Sequence, residues 1–148
     1  FLKGDLRDKT MPFCEATLYT IEKILKASGN QNPKSIVNIL TLQDRISFNF
    51  LNFTRGKTFD NAIIILDESE NISKEEMLLI LTRIGENSKI ILIGDELQKD
   101  RKDIRNEDSG MITSVKKLHD LDEFGAVEFT NDDVVRNPLI TKILELWK

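Results

Sequence analysis

The stretch Ala62-Ile63-Ile64-Ile65-Leu66-Asp67-Glu68 decides the fold. A continuous aliphatic run that is apolar on both faces is typical of a central strand in a parallel sheet. The run ends abruptly in two acids, where the chain leaves the sheet. We therefore predict a buried strand over residues 62–66 with a pair of carboxylates at its carboxyl end.

A helix and a second strand follow this first strand. Ser73 and Glu76 form a capping-box pattern, which predicts a helix beginning at Ser73 and ending near Gly85. The apolar residues expected on its buried face are Met77, Leu78, Leu81 and Ile84. Residues 89–93 form a second aliphatic run, so strand, helix and strand together predict a βαβ crossover with adjacent parallel strands.

The remaining chain predicts further alternation of helices and strands. The expected elements are a helix from Pro12 to Ser28, a short helix over 34–42, a strand over 45–50, a helix over 109–118, a strand over 126–130 and a last helix beginning at Asn137. This alternation predicts an α/β fold. The length of 148 residues favours a single domain.

Composition limits the class of protein. The net charge is −4, so the chain as a whole does not attract nucleic acid electrostatically. Its one cluster of basic residues contains Lys99, Arg101, Lys102 and Arg105, and we interpret it as a solvated loop. Cys14 is the only cysteine, which favours a reducing, cytoplasmic setting, and no apolar run is long enough to span a membrane.

Acidic and amide side chains follow both predicted core strands. Because the carboxyl ends of parallel strands meet at one edge, Asp67-Glu68 and Gly94-Asp95 should lie together, with Gln98 just beyond. Aliphatic residues followed by Asp-Glu form the Walker B pattern. Asp67 would supply a hard oxygen to the Mg²⁺ that bridges nucleotide phosphates, and Glu68 would orient the attacking water. The amide of Gln98 could both donate to a γ-phosphate oxygen and accept from that water.

Three arginines are candidates for neutralising transition-state charge. Arg136 lies just before the last predicted helix, where a salt bridge to a neighbouring aspartate is an equal alternative. Arg55 is a second candidate, for contact with the nucleotide. Arg83 could reach a neighbouring subunit, although an ordinary surface ion pair is the favoured interpretation.

A phosphate-binding loop is not found in the sequence. Gly56-Lys57-Thr58 looks like the end of a Walker A motif, but position 51, which should be glycine, is Leu51. Only a few residues separate Thr58 from the strand at 62–66, which leaves no room for the helix that must follow such a loop. We reject this stretch as a phosphate loop.

With these residues in place, the sequence resembles the PhoH-like family, including its phage-encoded members. The resemblance begins with Phe1-Leu2-Lys3-Gly4-Asp5-Leu6 and continues through several blocks in the same order. These blocks are residues 54–59, 65–68, 81–85, 94–98 and 129–139. The family usually has Ala-Gln where this chain has Ser69-Glu70, and a less charged segment after Gln98.

The resemblance implies an α/β fold: a RecA-like P-loop NTPase with a parallel sheet flanked by helices. Here the fold would lack the phosphate-loop strand, so residues 1–148 would form a partial ATPase domain. It also implies ATP and Mg²⁺ as ligands, a possible homo-oligomeric ring, and work on RNA or other single-stranded nucleic acid. By the same resemblance Asp67 and Glu68 take the Walker B roles, Gln98 the sensor role and Arg136 the role of a helicase-type arginine. The start at Phe1 rather than methionine also suggests a fragment.

Two other functions remain open. The chain could be a non-catalytic or split protein that binds a partner supplying the phosphate loop. Less favoured is a metal-dependent nuclease that uses Asp67, Glu68 and Asp95 as a two-metal cluster. If a strand is missing from the middle of the sheet, unpaired backbone groups should make the isolated chain unstable or prone to aggregation.

Overall fold

A computed structural model describes residues 6–51, 54–105, 108–130, 133, 139, 142 and 146 of the chain. The chain divides into two compact units, 1–57 and 58–148, and each is described by itself. Within the described residues, no helix is both long enough and apolar enough to cross a bilayer.

The first unit contains two helices, α1 (Leu6–Ala27) and α2 (Pro33–Leu42). The predicted end of α1 is confirmed, since Gly29 takes the left-handed conformation (φ 88°) just beyond it. The predicted start at Pro12 is wrong, because the helix begins at Leu6. A proline inside a helix removes one backbone hydrogen bond, but the helix can continue on both sides of it, as α1 does at Pro12.

No strand forms over residues 45–50, which corrects the sequence prediction. The chain turns at Asp44, which has a φ of 53°. The N–H groups of Arg45 and Ile46 then donate to the carbonyl of Leu40, at 2.8 and 3.2 Å. Those two donors are used to close the end of α2, so the segment does not continue as a paired strand.

The second unit is built on the predicted βαβ crossover. Strand β1 (Ile63–Leu66) pairs in parallel with β2 (Lys89–Leu92), and helix α3 (Lys74–Leu81) lies between them in sequence. The register places Ile63 opposite Lys89 and Leu66 opposite Leu92. The observed architecture is therefore α/β, with a small parallel sheet flanked by helices, and it is compatible with a P-loop NTPase-like fold.

The two strands are not buried on both faces, which corrects the prediction. Exposure alternates along β1, where Ile63 and Ile65 are 72% and 61% exposed while Ile64 and Leu66 are half-buried. The same alternation occurs along β2. Alternation of this kind is expected for a sheet with only one covered face.

Helix α3 begins with the predicted capping box. The Ser73 hydroxyl accepts from the N–H of Glu76, and the Glu76 carboxylate accepts from the N–H of Ser73 at 2.9 Å. The predicted buried face is only partly right, because Met77 is buried but Leu78 is 63% exposed. Ile80 is buried instead, and Ile84 is exposed. The predicted end near Gly85 is also wrong, because the helix ends at Leu81 with Thr82 as its C-cap.

Helix α4 (Gly110–Leu118) confirms the prediction for 109–118, with Ser109 as its N-cap. The helix approaches α3 so closely that a Cβ added at Gly110 would lie 2.5 Å from the Cβ of Met77. Glycine at this position therefore permits the contact between the two helices.

The predicted strand at 126–130 is absent, and Val127 and Phe129 are exposed. A strand requires a neighbour to satisfy its backbone groups, and the described residues supply no such neighbour to this segment. The last predicted helix, from Asn137, falls mostly outside the described residues.

Candidate functional site

The carboxyl ends of β1 and β2 are joined by a short hydrogen-bonded connection. The N–H of Ile93 donates to Leu66, and the N–H of Ser69 donates to Ile93, both at 2.9 Å. The fully buried Ser69 hydroxyl lies 2.8 Å from both the Leu66 and the Ile93 carbonyl oxygens. Residues 67–68 and 94–95 are therefore brought to one edge of the sheet, as the sequence predicted.

Asp67 and Glu68 are both exposed at this edge. Glu68 has φ 56° and ψ 39°, a left-handed conformation that is uncommon for any residue other than glycine. Its N–H donates to Oδ1 of Asp67 at 3.1 Å, which holds the Asp67 side chain against the backbone of Glu68. Backbone strain of this kind clusters at functional sites.

The charge on Glu68 is influenced by a second glutamate. The neighbouring negative charge of Glu70 raises the pKa of Glu68, and smaller contributions come from desolvation and from Asp67. The side-chain amide of Asn71 lies 3.4 Å from a carboxylate oxygen of each glutamate. Glu68 is therefore not an isolated surface acid but one member of an interacting acidic group.

The turn at residues 94–98 places Gln98 beside Asp95. The carboxylate of Asp95 accepts from the Gln98 side-chain amide at 2.6 Å and from the N–H of Leu97 at 2.9 Å. These hydrogen bonds, that from Gln98 first, lower the pKa of Asp95. The Gln98 amide keeps a second hydrogen and its carbonyl oxygen for other contacts.

Sequence reasoning missed the position of Glu70. Its side chain is only 3% exposed, and its Oε2 accepts from the N–H of Asp95 at 3.1 Å. An acid just after a strand is normally solvated, so its burial between the two strand ends was not predicted.

Of the three candidate arginines, Arg83 belongs to the described part of the second unit. Arg136 lies outside the described residues. Arg55 is exposed and belongs to the first unit. Arg83 lies at the opposite end of the sheet, where its carbonyl accepts from the N–H of Phe59, which precedes β1, and its guanidinium donates to Thr82 at 3.2 Å.

The Gly56-Lys57-Thr58 stretch does not have the geometry of a phosphate loop. The chain runs from Thr58 into β1 with no helix between them. The Lys57 ammonium group donates to the side chain of Asn49 at 3.2 Å.

Two of the basic residues after Gln98 form ion pairs with acids. Arg101 forms ion pairs with Glu76 at 2.9 Å and with Asp103 at 2.8 Å. Arg105 lies 3.4 Å from Asp108. These contacts hold the loop beside the start of α3 and do not assemble a basic surface.

The carboxylates of the site suit a metal ion that is already coordinated by a nucleotide and water. Within the part of the chain that the structure describes, no three acidic, histidine or cysteine side chains converge to hold a metal ion. Asp67, Glu68 and Asp95 therefore do not form the cluster that a two-metal nuclease requires. A single exposed carboxylate, such as Asp67, fits Mg²⁺ whose other ligands are phosphate oxygens and water.

Comparison with known proteins gives one consistent result. A family model described as PhoH-like protein matches residues 1–148. The chain is 32% identical to a PhoH-like protein of Bacillus subtilis over 99% of its own length and 43% of that relative. It is 30% identical to Protein PhoH of Escherichia coli, again over 99% of this chain and 40% of the relative.

The chain thus spans about two fifths of the length of these curated relatives. The match to the family model, by contrast, covers every residue of the chain. The chain belongs to the PhoH-like family.

Proposed function

We propose that the edge formed by residues 67–68 and 94–98 is the metal-binding and water-orienting half of an ATP site. The observation that supports this proposal is that the segments bearing Asp67, Glu68 and Gln98 follow the joined carboxyl ends of two adjacent parallel strands. Ligands bind at this edge in open α/β sheets. Family membership supports a nucleotide as the ligand.

Each residue has a distinct role in this proposal. Asp67 would hold Mg²⁺, which neutralises phosphate charge when bound. Glu68 would orient the attacking water, and its raised pKa suits a group that accepts a proton. Gln98, held by Asp95, would contact the γ-phosphate. Arg136 would neutralise charge on the transition state, and Arg55 would contact the nucleotide.

The activity belongs to a longer or assembled protein. The 148 residues contain no Gly-x-x-x-x-Gly-Lys-Ser/Thr sequence, so the phosphates would be held by residues outside them. We propose that the whole protein hydrolyses ATP in the cytoplasm, as a homo-oligomeric ring, to remodel RNA or another nucleic acid. The nucleic-acid part rests on the family resemblance, because Arg101 and Arg105 of the basic cluster are paired with acids.

A second candidate is a split protein whose partner supplies the phosphate loop. The exposed isoleucines of β1 favour it, because a strand or helix from another chain could cover this apolar face. Both candidates use the same residues at the strand ends and differ in where the phosphate loop comes from.

Mg²⁺-dependent ATP hydrolysis by the 148-residue chain, measured beside Glu68→Gln, tests the proposal. We expect both chains to remain at background, because neither contains a Walker A sequence to bind the phosphates. Turnover that Glu68→Gln abolishes would support the role of Glu68. It would also contradict the proposal that the phosphates are held by residues outside the 148. Turnover that survives Glu68→Gln would contradict the role given to this residue.

A further inference from the structure

Glu70 connects the two parts of the candidate site. One carboxylate oxygen accepts from the N–H of Asp95 at 3.1 Å, and the other lies 3.4 Å from the side-chain amide of Asn71. That same amide of Asn71 lies 3.4 Å from the Glu68 carboxylate. Glu70 therefore contacts the turn that carries Gln98 and, through Asn71, the acid at the end of β1.

The groups around Glu70 favour a side chain that accepts hydrogen bonds. A buried carboxylate is costly unless its oxygens are hydrogen-bonded, and here each oxygen faces an N–H donor. A glutamine could accept through only one of its two terminal atoms. Glutamate at this position is thus suited to satisfy both donors.

Gly94, at the end of β2, lies against the Glu70 carboxylate. A Cβ added at Gly94 would lie 2.5 Å from Oε2 of Glu70 and 3.0 Å from its backbone nitrogen. It would also lie 2.9 Å from Sδ of Met111 on α4. The absence of a side chain at position 94 therefore leaves the space through which the Glu70 carboxylate reaches Asp95.

We propose that Glu70 is a positioning residue that holds the 94–98 turn, and with it Gln98, against the acidic end of β1. The chain of contacts runs from Glu70 to the backbone of Asp95, and from the Asp95 carboxylate to the Gln98 side chain at 2.6 Å. If the contact between Glu70 and the Asp95 backbone is lost, the turn is no longer held, and the Asp95–Gln98 pair can move with it. The consequence for ATP chemistry rests on the proposed function, whereas the positioning itself does not.

Amide hydrogen exchange in the 148-residue chain, measured by NMR without nucleotide, tests the positioning. Glu70→Leu removes the acceptor while keeping a similar volume, and we expect exchange at the Asp95 amide to accelerate at least tenfold. The side-chain amide resonances of Gln98 should shift with it. The Ile93 and Ser69 amides, which donate within the joined strand ends, serve as internal controls and should change little.

Glu70→Gln is the matched control, because its carbonyl oxygen can still accept from Asp95 and should restore slow exchange there. Gly94→Ala should reproduce the Glu70→Leu result by displacing the carboxylate. The proposal is overturned if Asp95 exchange is unchanged in Glu70→Leu. It is also overturned if Ile93 and Ser69 accelerate as much as Asp95, or if Glu70→Gln behaves like Glu70→Leu.

A nucleotide titration separates this inference from the proposed function. In the unsubstituted chain, the Gln98 side-chain resonances should respond differently to Mg-ADP and to a non-hydrolysable Mg-ATP analogue, and Glu70→Leu should remove the difference. The titration is carried to high nucleotide concentration, because a chain without a phosphate loop holds the nucleotide weakly. If the unsubstituted chain still responds to neither nucleotide, the proposed metal-binding and water-orienting half of the ATP site fails. The exchange result still decides whether Glu70 positions the turn.

Discussion

At the scale of single residues, the site depends on a few buried hydrogen bonds rather than on the exposed acids alone. Ser69 and Glu70 are buried between the strand ends, whereas Asp67 and Glu68 are exposed. The buried pair fixes the backbone from which the exposed pair projects. This division of roles explains how two short strands can present several functional side chains at one edge.

Removal of the Gln98 side-chain amide should change the titration of Asp95. The hydrogen bond from Gln98 is the largest cause of the lowered pKa, so Gln98→Leu should raise the pKa of Asp95 toward the ordinary aspartate value. A carbon-detected NMR titration of the carboxyl groups measures this directly. An unchanged Asp95 pKa in Gln98→Leu, with Asp133 as the internal control, would contradict the contact.

At the scale of elements, the capping box at the start of α3 is the clearest stabilising feature. Ser73→Ala removes the side-chain acceptor for the N–H of Glu76, so it should lower the free energy of unfolding by about 1 kcal/mol. Urea denaturation measures the loss. Ser35→Ala, at an exposed position inside α2, is the control and should cost little. Equal stability of Ser73→Ala and the unsubstituted chain would contradict this prediction.

Glu76 should also make the stability of this element depend on pH. Partial burial raises the pKa of Glu76, but hydrogen bonds from Ser73 and the nearby Arg101 guanidinium outweigh it, so the net pKa is lowered. A lowered folded-state pKa contributes stability that is present above the ordinary glutamate value of about 4.3 and is lost as the pH falls further.

Thermal unfolding measured from neutral pH down to acid pH tests this linkage. We expect the unsubstituted chain to lose more stability on acidification than Glu76→Gln, which cannot titrate at this position. Parallel pH dependences of the two chains would show that Glu76 carries no such contribution.

The elements that the sequence predicted well are those with strong local signals. The aliphatic runs before Asp67 and Gly94, the capping box at Ser73 and the helical pattern over 109–118 lead directly to β1, β2, α3 and α4. The segments 45–50 and 126–130 have strand-like composition, but a strand needs a partner that composition cannot specify. The sequence predicted that the two strand ends meet at the site. It did not predict the burial of Glu70, which depends on the path of the 94–98 turn.

At the scale of the whole molecule, the sheet leaves an apolar face in contact with solvent. Ile63, Ile65, Ile91 and Ile93 are all exposed along the two strands. Exposed apolar patches of this kind promote association. The isolated chain is therefore expected to self-associate as its concentration rises.

Sedimentation velocity over a range of concentrations measures this association. Ile65→Lys should shift the chain toward the monomer, because a charge in the middle of the face opposes its burial. Leu42→Lys, at an exposed position on α2, is the control and should not. A monodisperse, cooperatively unfolding monomer would contradict the prediction.

The central claim, that the strand ends bind the metal of a nucleotide complex, is tested most directly by paramagnetic broadening. Mn²⁺, used in place of Mg²⁺, is added with ATP to the isotopically labelled 148-residue chain, and the NMR signal loss is mapped. We predict selective broadening at Asp67, Glu68 and the 94–98 turn, none at Asn61 and Asn87 at the opposite end of the sheet, and loss of the effect in Asp67→Asn. Broadening centred elsewhere, or broadening that persists in Asp67→Asn, would contradict the account.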